Sequence, residues 1–71
     1  MKIGIYKHSK SGDLVKVITI AKHSETLEDM VVYEHLGINA MSKYWVRPIK
    51  MFEEMVTVDG KQVPRFEFIK E

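Results

Sequence analysis

LVKVITIAKHSETLEDMVVYEH, residues 14–35, holds two β-branched runs separated by a short polar stretch. Val15, Val17, Ile18, Thr19 and Ile20 crowd into Leu14–Lys22, a density of branched side chains that suits a pleated, half-buried strand. The run is apolar on both faces in places, as a central strand of a barrel or small sandwich requires. MVVYEH (30–35) reads as a second such strand. Between them His23, Ser24, Glu25 and Thr26 form one polar knot, which is predicted to close the turn joining the two strands.

Period-two alternation extends in both directions from this pair. In GIYKH (4–8), Gly4, Tyr6 and His8 share one face and Ile5 and Lys7 the other. SKSGD (9–13) reads as a turn, LGINAMSK (36–43) as a loop punctuated by Gly37 and Asn39, and YWVRP (44–48) as a further strand that Pro48 cannot continue smoothly. PIKMFEEM places Pro48 at a first helical position with Ile49, Phe52 and Val56 at helical spacing, which predicts one or two helical or 3₁₀ turns. VTVDGKQVPRFEFI (56–69) is read as a hairpin, because Asp59-Gly60 supplies the positive φ values of a two-residue primed turn; Phe66 and Phe68 then face the core and Arg65 and Glu67 the other side. The fold class that follows is mainly β: a small SH3-like barrel of about five strands with one short helical turn, formed by residues 1–71 as a single domain. No internal repeat or linker is read in the chain.

Composition narrows the function classes. The chain has 71 residues, 45 % hydrophobic and 30 % charged, no cysteine and a formal charge of +1. A chain of this size buries only about 60 % of its unfolded surface, so stability should be modest. Without cysteine there are no disulfides, thiolate nucleophiles or thiolate metal sites, which fits a reducing cytoplasm. No apolar run reaches a membrane span, and the start MKIGIYKH turns polar too soon for a secretory signal. The near-neutral charge gives no indication of nucleic-acid binding. Lys2, Lys7, Lys10, Lys16 and Lys22 cluster early, as solvated strand edges do.

The blocks G-x-Y-x-H (4–8), A-x-HSET-x-E (21–28), VVY (31–33), WVRP (45–48), MF (51–52), VDG (58–60) and PRF (64–66) together resemble a family of small, mainly bacterial domains known as domain of unknown function 1653. The likeness spans almost the whole chain and rests on several blocks in order. It implies an SH3-type barrel and no established activity. The family's first turn tends to be a tight Lys-Gly pair, and SKSGD is longer.

Five residues stand out as candidate ligand-binding groups: His23, Glu25, Trp45, Arg47 and Arg65. Were residues 21–25 extended, His23 and Glu25 would project to one face about 6.6 Å apart, half of a catalytic arrangement. The alternative is structural: Ser24 or Thr26 caps the bend and Glu25 accepts backbone hydrogen bonds. Ser24 points away from its neighbour His23 and lacks a nucleophile elbow, so no catalytic residue is assigned. His8, His23 and His35 show no paired ligand spacing, so no metal site is assigned, and no cofactor motif is present. KHSKSG (7–12) lacks both Walker spacing and a following helix.

Trp45 and Arg47 share a strand face, which lets the guanidinium stack on the indole or both line a shallow site. Arg47 and Arg65 are the only arginines, and their planar forks suit carboxylates or phosphates. Either they serve a ligand, or Arg47 pairs internally with Glu25 or Glu28. Tyr6, Tyr33 and Tyr44 are read as buried with wet hydroxyls, and the methionines of 41–55 as core filling. The reading that results is a non-catalytic binding module whose partner is a small anionic ligand or a protein. Its rivals are a small hydrolase or metal-dependent enzyme using His23 and Glu25, and an accessory domain that docks to another protein.

Overall fold

The computed structural model describes residues 1–37 and 42–71; the middle of the 36–43 loop, with Asn39, lies outside them. Among the described residues the chain forms β1 (Gly4–His8), β2 (Leu14–Lys22), β3 (Asp29–His35), β4 (Tyr44–Pro48), α1 (Ile49–Phe52), β5 (Met55–Val58), β6 (Lys61–Pro64) and β7 (Phe66–Lys70). The first, second and fourth strands fall where alternation and turn residues put them. The count of strands is seven rather than five.

Five strands make one antiparallel sheet in the order β4-β3-β2-β1-β7, with β2 at its centre, and β5 and β6 pair separately. No pairing of β4 with β7 closes the sheet into a barrel among the described residues. Alternation decides what the sheet buries. Tyr6 on β1, Val15 and Val17 on β2, and Val31 and Tyr33 on β3 all point to one face and are buried. A bulge between Val17 and Thr19 switches the inward positions of β2 from odd to even, so that Ile20 rather than Thr19 lies opposite Val31. This switch is why the run Val17–Ile20 is apolar on both faces.

Helix α1 plugs the concave face. Pro48 ends β4 and caps the helix rather than occupying its first turn. The single turn carries Phe52 to full burial, stacked on Phe66 at 4.1 Å with the rings nearly parallel. Tyr6 meets Phe52 and Phe68 edge-on, each at 5.3 Å. Such aromatic contacts add about 0.5–1.5 kcal/mol each beyond area burial. The Tyr6 hydroxyl donates to the Lys2 carbonyl at 2.7 Å, and burial pushes its phenol pKa upward. Tyr33 is buried too, but Tyr44 is exposed, because it lies on the outer face of an edge strand. Met51 and Met55 are likewise half-exposed, so they fill no core.

The final hairpin is shorter than its sequence suggests. Asp59 (φ 52°) and Gly60 (φ 78°) form the expected primed turn between β5 and β6, yet the ladder stops at Pro64. The chain then bends at Arg65 and leaves for β1. Arg65 bridges the two sheets through its backbone: its N–H donates to the Glu54 carbonyl (2.8 Å) and its carbonyl accepts from Ser9 N–H (2.9 Å).

Candidate functional site

Alternation carries four side chains to the rim of the same concave face. His8 follows Tyr6 on β1, and His35 follows Tyr33 on β3. Trp45 and Arg47 lie opposite Tyr33 and Val31 on β4. They border a groove of about 250 Å³ whose walls are Val15, Tyr33, Trp45 and Phe66, and whose polar rim is His8, Ser11, Asp13, His35 and Arg47. Two of the five sequence-predicted residues, Trp45 and Arg47, are therefore together.

The other three lie elsewhere. His23 and Glu25 belong to the turn between β2 and β3, where Glu25 N–H and Thr26 N–H both donate to His23 Nδ1 (3.1 and 3.3 Å). His23 is thus a turn cap, and the Glu25 side chain is exposed. Arg65 does not line the groove. Its Nη2 lies 3.8 Å from Glu54, and its Nε is buried without a partner among the described residues.

The knot has a twin. In residues 8–13 (HSKSGD), His8 N–H donates to Asp13 O, Gly12 N–H to His8 O, Ser11 N–H to His8 Nδ1 and Asp13 N–H to Ser11 Oγ. In residues 23–28 (HSETLE), His23 N–H donates to Glu28 O, Leu27 N–H to His23 O, Thr26 N–H to His23 Nδ1 and Glu28 N–H to Thr26 Oγ. The fifth residue of each has positive φ, Gly12 at 79° and Leu27 at 63°. One histidine-capped turn is used twice, 15 positions apart, so the chain does contain a short repeat. Its signature, Lys-His-Ser-x-Ser/Thr-x-Asp/Glu, stands at 7–13 and 22–28.

Only the first copy reaches the groove. There the His8 ring meets Phe66 edge-on at 5.0 Å. Burial of the ring, and then the Arg47 and Arg65 guanidiniums, hold its pKa below the ordinary 6.5, with Asp13 opposing. His8 is thus neutral near pH 7. Because Nδ1 accepts from Ser11, its proton sits on Nε2. His35 is arranged alike: Nδ1 accepts from Gly37 N–H at 3.0 Å, and Nε2 lies 3.7 Å from Asp13 Oδ2.

Arg47 faces the groove with its charge unbalanced. No carboxylate among the described residues comes within ion-pair distance of it, Glu25 and Glu28 included. Its guanidinium lies over the Phe66 ring, 5.6 Å from the centroid, rather than on the Trp45 indole. Trp45 Nε1–H is anchored to the Ser42 carbonyl at 2.8 Å. No three His, Asp or Glu side chains gather at metal-ligating distances among the described residues, and no helix there is long and apolar enough to cross a membrane.

Sequence reasoning missed His8, Ser11, Asp13 and His35 as groove residues. The signal was available for the histidines, since each follows a buried tyrosine by two positions on its strand. Asp13 and Ser11 carry no such mark; the turn geometry places them.

Residues 4–68 match the family described as proteins of unknown function, DUF1653. A search of solved structures finds the crystal structure of a protein of that family from Bordetella bronchiseptica, at 30 % identity and a TM-score of 0.90, over 97 % of this chain and 87 % of that one. No curated protein matches the chain. With the family matched across nearly its whole length and the same fold in a solved relative, the chain belongs to the DUF1653 family.

Proposed function

We propose that this domain is a non-catalytic binding module, built on a curled SH3-like sheet, whose groove takes an anionic group of a small ligand or peptide. The observation that carries the reading is Arg47: a half-buried guanidinium on an aromatic wall, with no protein carboxylate beside it among the described residues. Such a cation offers a bidentate fork to an incoming anion in a partly dry setting, where charge-assisted hydrogen bonds are strongest. His8 adds a neutral Nε2–H donor on the same rim.

The histidines support binding over hydrolysis. A general base needs a free lone pair directed at the substrate. In His8, His23 and His35 the Nδ1 lone pair accepts a backbone N–H and is not free for a substrate proton. The rim's imidazoles can therefore donate to a ligand, and its one carboxylate, Asp13, is turned toward His35 Nε2 at 3.7 Å. His23 and Glu25, the pair on which a hydrolase would depend, lie in a turn outside the groove. The absence of cysteine suits work in a reducing cytoplasm.

Calorimetric titration with acetate, inorganic phosphate and a short acidic peptide tests the reading. At least one anion should bind the parent and bind Arg47→Lys more weakly, since lysine keeps the charge and loses the fork. Binding that is unchanged in Arg47→Lys and Arg47→Ala would overturn it.

A further inference from the structure

The donors, walls and charge of the groove together narrow the anion. Phosphate sites are commonly built from several backbone N–H groups converging on one point. Here the turn N–H groups nearest the rim, those of Ser11 and Gly37, already donate to His8 Nδ1 and His35 Nδ1. What remains is the planar Arg47 guanidinium, flanked by the His8 imidazole and the Ser11 hydroxyl, with His35 Nε2 turned toward Asp13 at 3.7 Å; the single fork matches the two oxygens of a carboxylate better than the three of a phosphate. Asp13 stands on the same rim and would repel a second negative charge on the ligand. Its carboxylate also offers an acceptor for an N–H or O–H of the bound molecule.

The walls add a second requirement. Val15, Tyr33, Trp45 and Phe66 are apolar or aromatic, and about 250 Å³ is below the usual range for drug-sized ligands. A bare hydrated anion would leave those walls without a partner, whereas one flat ring would occupy them. Resting on the anion-binding reading above, we propose that the groove recognises a singly charged carboxylate borne on an aromatic group, with Arg47 holding the carboxylate and Tyr33, Trp45 and Phe66 receiving the ring. Two sources share this chemistry: a free aromatic acid, and the C-terminal residue of a peptide.

The test is a set of ¹⁵N-resolved NMR titrations of the full chain with indole-3-acetate, benzoate, acetate and inorganic phosphate. Two tetrapeptides ending in tryptophan are added, one with a free carboxylate and one amidated. Indole-3-acetate or benzoate should bind about tenfold or more tighter than acetate and phosphate, shift the Trp45 indole N–H, and weaken in Arg47→Lys. Tighter binding of the free-acid peptide than of the small acids, lost on amidation, assigns the peptide source; binding of the small acids alone assigns the other. Phosphate or acetate binding at Arg47 as tightly as the aromatic acids would overturn this inference and leave the anion groove standing. If no anion shifts Trp45 or Arg47 in a parent that melts cooperatively, both readings fall.

Discussion

Arg47 and Phe66 lie on the two edge strands of one five-stranded sheet, yet the guanidinium of the first covers the ring of the second at 5.6 Å. In a flat sheet, strands four steps apart would be about 19 Å from each other, with side chains standing parallel. The contact therefore measures how far the sheet curls, and the groove is the space enclosed by that curl. Val15 on the central strand forms its floor.

Because no carboxylate faces Arg47 among the described residues, its removal strands no buried charge. Arg47→Ala should cost at most about 1 kcal/mol, the value of a half-exposed cation–π contact. Urea denaturation checks this. A loss of about 3–5 kcal/mol would instead reveal a buried ion pair.

Gly4 is where β1 meets β7. Its φ is 148°, and a Cβ there would lie 2.4 Å from the Lys70 carbonyl oxygen and 2.8 Å from Glu71 Cα, both backbone. Gly4→Ala should therefore destabilise by about 1–3 kcal/mol through backbone displacement and strain. Gly60→Ala, with open space around its Cβ, should cost only the positive-φ penalty of about 1 kcal/mol. Equal denaturation midpoints for the two variants would contradict the close approach.

The His23 cap is expected to be structural. His23→Ala removes the acceptor of two N–H groups and should cost about 1 kcal/mol. His23→Asn, whose side-chain oxygen can accept from the following backbone, should restore most of that loss. Thermal melts of the three proteins compare them. An asparagine variant no better than alanine would show that the cap contributes little.

How much of this was legible beforehand depends on the kind of signal. β1, β2 and β4 were readable to the residue because branched side chains alternate and Gly, Ser or Pro bound them. The split of the last hairpin was not, since Phe66 and Phe68 alternate equally well whether the strand pairs with β5 or with β1. Only the bonds of Arg65 to Glu54 and Ser9 decide between those pairings. Trp45 and Arg47 could be read as neighbours on one rim because they share a strand face. His23 and Glu25 drew attention by being polar between apolar runs, but a turn needs polar groups as much as a site does. The twin turn at His8 was hidden by Gly12 standing where Leu27 stands.

A pH dependence follows from His8. Its folded-state pKa lies below 6.5, chiefly through burial and then through Arg47, so the unfolded chain binds the proton more readily. The stability this contributes is present above about pH 6.5 and is lost as pH falls toward the folded-state pKa. The His8 Cε1–H resonance should titrate below 6.5, and Arg47→Ala should move its midpoint upward without restoring it fully. A midpoint at or above 6.5 in the parent would contradict the burial of this ring against Phe66.

The most direct measurement of the central claim is a residue-resolved shift map of the ¹⁵N-labelled chain titrated with a short acidic peptide and with the acids that bind most tightly. The account predicts saturable shifts at His8, Trp45 Nε1–H and Arg47 Nε–H, with residues 23–28 unmoved and the shifts reduced in Arg47→Lys. Saturable shifts centred instead on His23 and Glu25, with Trp45 and Arg47 silent, would contradict it.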